Sequence, residues 1–181
     1  MKMNQRYFHV KGTSYIIRSA IPEDARDLSD IRVHIDGETE NMDRERGEAF
    51  IDEQGFEELI KKDSENKRNL FLVAVVHDRI VGFSRCEGSQ LKRFAHQVEF
   101  GVGIIKDYWG RGIGTNLLKE SIAWADSNGI KKINLNVLET NDKAIRLYKR
   151  FGFETEGILK KDKRLSDGKY YSTIVMGRLN G

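Results

Sequence analysis

Apolar positions along this chain fall into blocks whose period changes several times. Residues 13–20, TSYIIRSA, carry a short apolar run bounded by polar residues and read as a short strand. Pro22 followed by Glu23 and Asp24 predicts a helix start. Proline suits the first helical position and acids suit the positive end of the helix dipole. This helix is expected to run to about residue 35. Residues 36–47, DGETENMDRERG, have no apolar period and read as a loop. A second helix is predicted over residues 48–65, with Phe50, Ile51, Phe56, Leu59 and Ile60 as its apolar side.

The next block is rich in Val, Ile and Phe, which suit a pleated sheet. His77 and Asp78 divide it into a hairpin, residues 70–76 and 79–86, and a third strand covers about 97–105. A helix is predicted over 112–127, stopped by Ser127, Asn128 and Gly129. IKKINLNVLE reads as a strand, and NDKAIRLYKRFG as a helix opened by an Asn/Asp cap and closed at Gly152. Two long strands end the pattern. The order is strand, two helices, three strands, helix, strand, helix, two strands. It predicts an α/β (α+β) fold with a mixed, mainly antiparallel central sheet of about seven strands flanked by about four helices. One domain over residues 1–181 is expected, with 1–13 as an N-terminal extension.

Composition narrows the function. No apolar run approaches about 18 residues. The N-terminus lacks the apolar core and cleavage site of a signal peptide. No membrane partner and a cytoplasmic location are the resulting expectations. Cys86 is the single cysteine, so no intrachain disulfide can form, and it reads as a buried inert thiol. His9, His34, His77 and His96 are scattered without ligand spacing, so no metal site is expected. Lys and Arg number 31 against 28 Asp and Glu, an excess too slight to imply a polyanionic partner. The densest basic stretch, LKKDKRLSDGK, contains two aspartates and reads as a solvated hairpin, so no nucleic-acid partner is expected.

The informative stretch is YWGRGIGTNLL, with Gly110, Gly112 and Gly114 at alternate positions before a leucine-rich helix. A triphosphate loop would need Gly-Lys followed by Ser or Thr, and no lysine is present. The dinucleotide fingerprint needs a different glycine spacing. The local physics offers an anion seat. The first turn of a helix has unpaired N–H groups and partial positive charge, and glycines remove the side chains that would screen them. Close packing of strand and helix is the competing reason for the glycines. In the preceding strand, Val98, Phe100, Val102 and Ile104 share one face, and Glu99, Gly101 and Gly103 the other. Two glycines on one face mark a bulge or the close passage of another chain or ligand.

On these residues the chain resembles the GNAT family, the Gcn5-related N-acetyltransferases. Their Gln/Arg-x-x-Gly-x-Gly/Ala signature is matched by Trp109, Gly110, Arg111, Gly112, Ile113 and Gly114, with Trp109 in place of the leading Gln or Arg. NVLETNDKAIRLYKRFGF is similar to the family's second element, a strand end, an Asn opening a helix, and a later Tyr before Gly-Phe. The resemblance implies a GNAT-like fold and acetyl-CoA as cosubstrate, with no metal. It places the pyrophosphate on N–H groups of about Arg111 to Thr115 and the pantetheine arm near Val102, Gly103 and Ile104. The implied cofactor-binding set is completed by Gly110, Gly112, Ile113, Gly114, Asn141 and Tyr148.

The implied reaction is acyl transfer from sulfur to the nitrogen of a primary amine, by direct attack in a ternary complex. A strand N–H near Gly103 or Ile104 is the expected donor to the developing oxyanion. Tyr148 lies seven residues after Asn141, about two helical turns, and is either the acid for the leaving thiolate or a core aromatic. Glu99 is either a base acting through water or a plain surface acid, with His96 as a secondary candidate. Asp36, Glu38, Glu40, Asp43 and Glu45 would attract a cationic amine, or else form a solvated loop. The family's acceptors include small amines, amino acids and protein N-termini, and its members often form homodimers. The alternative is a non-catalytic acyl-CoA-binding regulator, which would need neither Tyr148 nor Glu99.

Overall fold

The computed structural model describes residues 2–181. Its elements in order are β1 (Arg6–Val10), β2 (Thr13–Ser19), α1 (Ala25–Glu38), α2 (Glu53–Glu65), β3 (Leu70–Val76), β4 (Arg79–Gly88), β5 (Gln97–Ile104), α3 (Ile113–Ser127), β6 (Lys132–Leu138), α4 (Asp142–Arg150), β7 (Glu154–Arg164) and β8 (Tyr170–Leu179). The strands form one sheet in the order β1-β2-β3-β4-β5-β6-β8-β7. Every neighbouring pair is antiparallel except β5 and β6. The mixed, mainly antiparallel sheet and its helices agree with the sequence pattern, with eight strands in place of about seven.

All seven residues of β3 are buried, because helices cover both of its faces. Its alternate side chains serve two cores. Leu70, Leu72, Ala74 and Val76 pack with Leu117, Leu118 and Trp124 of α3. Phe71, Val73 and Val75 pack with Leu28, Ile31 and Ile35 of α1 and Phe56 and Ile60 of α2. Among the described residues no helix is long and apolar enough to cross a membrane.

Two differences from the sequence reading have local causes. Residues 6–10, expected to lie in an extension, form β1 and pair with β2. Lys11 and Gly12 both have positive φ, as a two-residue hairpin turn requires. Phe8 stacks on Tyr15 with ring centroids 5.4 Å apart. The second helix starts at Glu53 rather than residue 48. Gly47 and Ala49 sit in the left-handed region, which breaks a helix, and the Asp52 side chain caps the new start by accepting from the Gly55 N–H at 2.8 Å. Phe50 therefore stands 62% exposed instead of joining the apolar side.

Candidate active site

The site is built where the one parallel pair comes apart. β5 and β6 are in register only at Gln97↔Lys132, Val98↔Ile133 and Glu99↔Asn134. Both strands continue, to Ile104 and Leu138, without further pairing to each other. β5 stays paired on its other edge, with Gly82 of β4 opposite Ile104. Backbone groups alternate along a strand, so two bonds fix which ones face the gap. The Ile105 N–H donates to the Val81 carbonyl, toward β4, at 2.9 Å, and the His96 carbonyl accepts from the Lys132 N–H, toward β6, at 3.2 Å. The alternation then turns the N–H groups of Val102 and Ile104 into the gap and that of Gly103 toward β4. Of the two donors expected from the sequence, Ile104 faces the cleft and Gly103 does not. Trp109 occupies the Ile104 carbonyl through its indole N–H at 2.9 Å, which holds this end of the strand.

The glycine loop runs past the open end of that gap. Gly110 and Gly112 have φ of 74° and 76°, where side chains are costly. A Cβ on Gly110 would meet nothing within 4 Å. One on Gly112 would lie 3.0 Å from Val10 Cγ1, and one on Gly114 3.0 Å from Ile104 Cδ1. Close packing thus accounts for part of the glycine spacing, at Gly112 and Gly114. No side chain caps α3, whose N-cap is Gly112. The Asn116 N–H is bonded to the Gly112 carbonyl at 2.9 Å, and the preceding N–H groups have no intrahelical acceptor to reach. Ile113 is buried and anchors the turn. Arg111 donates to Thr13 Oγ1 at 2.8 Å and stacks on Tyr108, its guanidinium carbon 5.5 Å from the ring centre. Asn116 donates to the Tyr15 hydroxyl at 2.6 Å and so braces β2 rather than the helix end.

A cavity of about 890 Å³ joins this loop to the gap and passes to the α1–α2 side of the sheet. Its lining includes Val102, Gly103, Ile104, Gly110, Gly112, Ile113, Gly114, Thr115, Asn141, Tyr148 and Glu99, while Arg111 stands outside it. Asn141 caps α4, its Oδ1 accepting from the Ala144 N–H at 3.3 Å. Tyr148 is buried between Phe100 and Phe153, with ring centroids 6.4 and 5.7 Å away. Burial pushes its phenol up to about 12. Its hydroxyl has no hydrogen-bond partner among the described residues and opens on the cavity. Glu99 is exposed beside Asn134, on the face where Gly101 leaves open space. Gly103 is bare for another reason: a Cβ there would crowd Phe83 at 3.3 Å and Ile35 at 3.4 Å.

Several lining residues escape a reading of motifs. Lys143, Arg146 and Arg150 of α4 add positive charge to the cavity. Their spacing of three and four residues along KAIRLYKR was the available signal. Arg32, Arg44 and Arg85 line the α1–α2 side. The acidic loop does not offer a row of free carboxylates. Asp36 is buried against Arg44 at 2.9 and 3.1 Å, and Glu38 accepts from the Lys106 N–H at 2.8 Å and meets His34 at 2.9 Å. Glu40 bonds Ser166, and Asp43 pairs with Lys163, tying the loop to the β7–β8 hairpin.

A mixed sheet with one parted parallel pair, an uncapped helix start at its mouth and a buried phenol beside it forms a cleft able to seat an extended, anionic ligand. Residues 36–153 match the family model described as Acetyltransferase (GNAT) family, and the chain belongs to that family. It is 33% identical over 109 residues to the L-amino acid N-acetyltransferase AaaT of Escherichia coli strain K12, covering 60% of this chain and 67% of that protein. The crystal structure of an acetyltransferase of the GNAT family from Streptococcus pneumoniae superposes with a TM-score of 0.88 at 28% identity, covering 92% of this chain and 99% of that one. The fold is shared also with yncA from Salmonella typhimurium, solved with its cofactor acetyl-CoA, at a TM-score of 0.80 and 19% identity over 91% of this chain and 93% of that one.

Proposed function

We propose that this protein transfers the acetyl group of acetyl-CoA to a primary amine by direct attack in a ternary complex. The observation that carries the reading is the parting of β5 from β6 after Glu99 and Asn134, which leaves inward-facing main-chain donors above the uncapped start of α3. The residues fit the cosubstrate. The N–H groups of about Arg111 to Thr115 suit a pyrophosphate, and Lys143, Arg146 and Arg150 make the cavity's potential more positive, which favours a polyanion. The unpaired edge of β5 from Val102 to Ile104 suits an amide-bearing arm. Acetyl-CoA supplies an activated thioester, and the chain supplies position and charge.

Glu99 accepts a proton from the amine through water, so that nitrogen presents a lone pair. The Ile104 N–H, fixed by the strand and by Trp109, donates to the carbonyl oxygen as it gains charge. The C–N bond forms, the C–S bond breaks, nitrogen loses a proton and sulfur gains one. Tyr148 faces the departing sulfur. A phenol held near 12 stays protonated at neutral pH but is a weaker acid than a thiol of ordinary pKa about 8.5. Tyr148 therefore acts by hydrogen-bonding the thiolate, and the net proton comes from the attacking nitrogen. The acceptor belongs among small amines, amino acids and protein N-termini. Thiol release from acetyl-CoA against a panel of these tests the reading. Release that depends on an amine supports it. Tight acetyl-CoA binding with no amine-dependent release would favour a non-catalytic binder.

A further inference from the structure

The α1–α2 side of the cavity holds three arginines, and they are not equivalent. Arg44 is bound to buried Asp36, and Arg85 to buried Asp63 and to Glu87. Arg32 has no carboxylate in ion-pair range among the described residues. Its one hydrogen bond goes to the Ala49 carbonyl at 2.7 Å. Four further guanidinium N–H donors remain. Burial and the neighbouring charge of Arg44 both hold its pKa below the usual value, more strongly than Asp36 raises it. A partly buried cation in that condition favours an incoming anion. Ala49 presents its carbonyl from a left-handed conformation, φ 46°, which fixes where the guanidinium lies.

Arg32 sits one helical turn before Ile35, whose Cδ1 touches the bare face of β5 at Gly103. Around it the walls are apolar: Ile35, Met42, Ile51, Phe56, Phe71 and Phe83. Glu99 supplies a carboxylate on the β5 floor, whereas Asp43 is spent on Lys163. The links from Glu40 to Ser166 and from Asp43 to Lys163 tie the loop after α1 to the β7–β8 hairpin beside this chamber.

Resting on the acetyl-transfer reading above, we propose that the acceptor is a free α-amino acid with an apolar side chain, and that Arg32 is the specificity-determining residue that binds its carboxylate. The three surfaces match the three groups of such a molecule: a spare guanidinium for the carboxylate, Glu99 for the amine and aromatic walls for the side chain. A protein N-terminus fits less well, because the group next to its amine is a neutral amide that leaves the guanidinium without an anion.

The test compares L-phenylalanine with phenethylamine and L-phenylalaninamide, which keep the amine and ring but lack the carboxylate. Thiol release gives kcat/KM for the wild type, Arg32→Gln and Arg32→Lys. Glutamine keeps a donor for the Ala49 carbonyl and removes the charge. The wild type is expected to prefer phenylalanine by about tenfold or more, the worth of a charge-assisted bond. Arg32→Gln should lower kcat/KM for phenylalanine by about tenfold or more, chiefly through KM, while phenethylamine changes less than about twofold. Arg32→Lys should restore part of the preference. Equal wild-type use of the three amines overturns the carboxylate anchor while leaving acetyl transfer standing. So does a Gln variant, with an unchanged melting curve, that loses all three alike. Absence of thiol release with every amine overturns both readings.

Discussion

Replacing Tyr148 by Phe separates chemistry from folding, because the atom removed has no hydrogen-bond partner among the described residues. The ring contacts with Phe100 and Phe153 survive in the variant. The lost oxygen opens on the cavity, so no buried donor or acceptor is orphaned. The melting temperature should stay level or rise slightly. In the proposed reaction, the hydroxyl donates to a sulfur that becomes negative, and such charged hydrogen bonds contribute about 1.5–3 kcal/mol. That corresponds to a fall in kcat of about 10- to 150-fold. Acetyl-CoA affinity should move by less than about twofold, since a neutral thioester sulfur is a weak acceptor. Thiol release at saturating acetyl-CoA and amine, calorimetric binding and a melting curve measure the three quantities. The pH profile adds a fourth. A phenol pushed to about 12 stays protonated from pH 6 to 10, so any alkaline fall in kcat near 10 belongs to another group and persists in the variant. An unchanged kcat with a good amine, or a parallel loss of cosubstrate binding, would refute the assignment.

Three further outcomes follow from other parts of the structure. Thr115 is at the third position of α3, where an acid suits the helix dipole, so Thr115→Glu should keep or raise stability yet weaken acetyl-CoA by about tenfold or more; normal calorimetric binding would remove the pyrophosphate from that turn. Trp109 is 41% exposed at the loop and Trp124 only 6%, so acetyl-CoA titration should change the fluorescence, and Trp109→Phe should abolish that change; a retained signal would place the cosubstrate elsewhere. Burial pushes both the Cys86 thiol and the Tyr148 phenol to about 12, whereas the unfolded chain ionises them near about 8.5 and 10. The unfolded state then loses protons first, so stability is full below about pH 8 and declines as pH rises toward 12. Cys86→Ala should flatten the first part of that decline in urea melts, and an unaltered slope would contradict a buried neutral thiol.

What the sequence made legible was what depends on neighbours along the chain. The β3–β4 hairpin could be read from two apolar runs around His77 and Asp78, both of which take positive φ. The helix start after Gly112 and the Asn141 cap could be read from glycine and Asn-Asp chemistry. β1 was hidden because it is a five-residue edge strand with no buried residue, only Phe8 and Val10 being half-buried, and its one clue was the Lys11–Gly12 turn. The false start at residue 48 arose because Phe50 and Ile51 extend an apolar period that Ala49 breaks in the backbone. The fate of the acidic loop was out of reach, since Asp43 finds Lys163 and Glu40 finds Ser166 across more than half the chain. The same holds for Arg32, whose lack of an ion-paired carboxylate among the described residues emerges only once Arg44 and Arg85 are seen to have taken theirs. The choice between Gly103 and Ile104 as the inward donor turned on strand alternation fixed by two long-range bonds.

The first hairpin leans on the glycine loop and the start of α3 from behind. Val10 touches the position of Gly112, Thr13 receives Arg111, and Tyr15 receives Asn116. A shortened form that begins after residue 10 would keep Thr13 and Tyr15 and the buried residues of both cores, but lose Val10 behind Gly112 and the Phe8 ring stacked on Tyr15, and so loosen the buttress that shapes the glycine turn. Its defect would surface as weak affinity for the acyl donor rather than as unfolding, and a fusion partner grafted too tightly at that end would imitate a damaged catalytic residue.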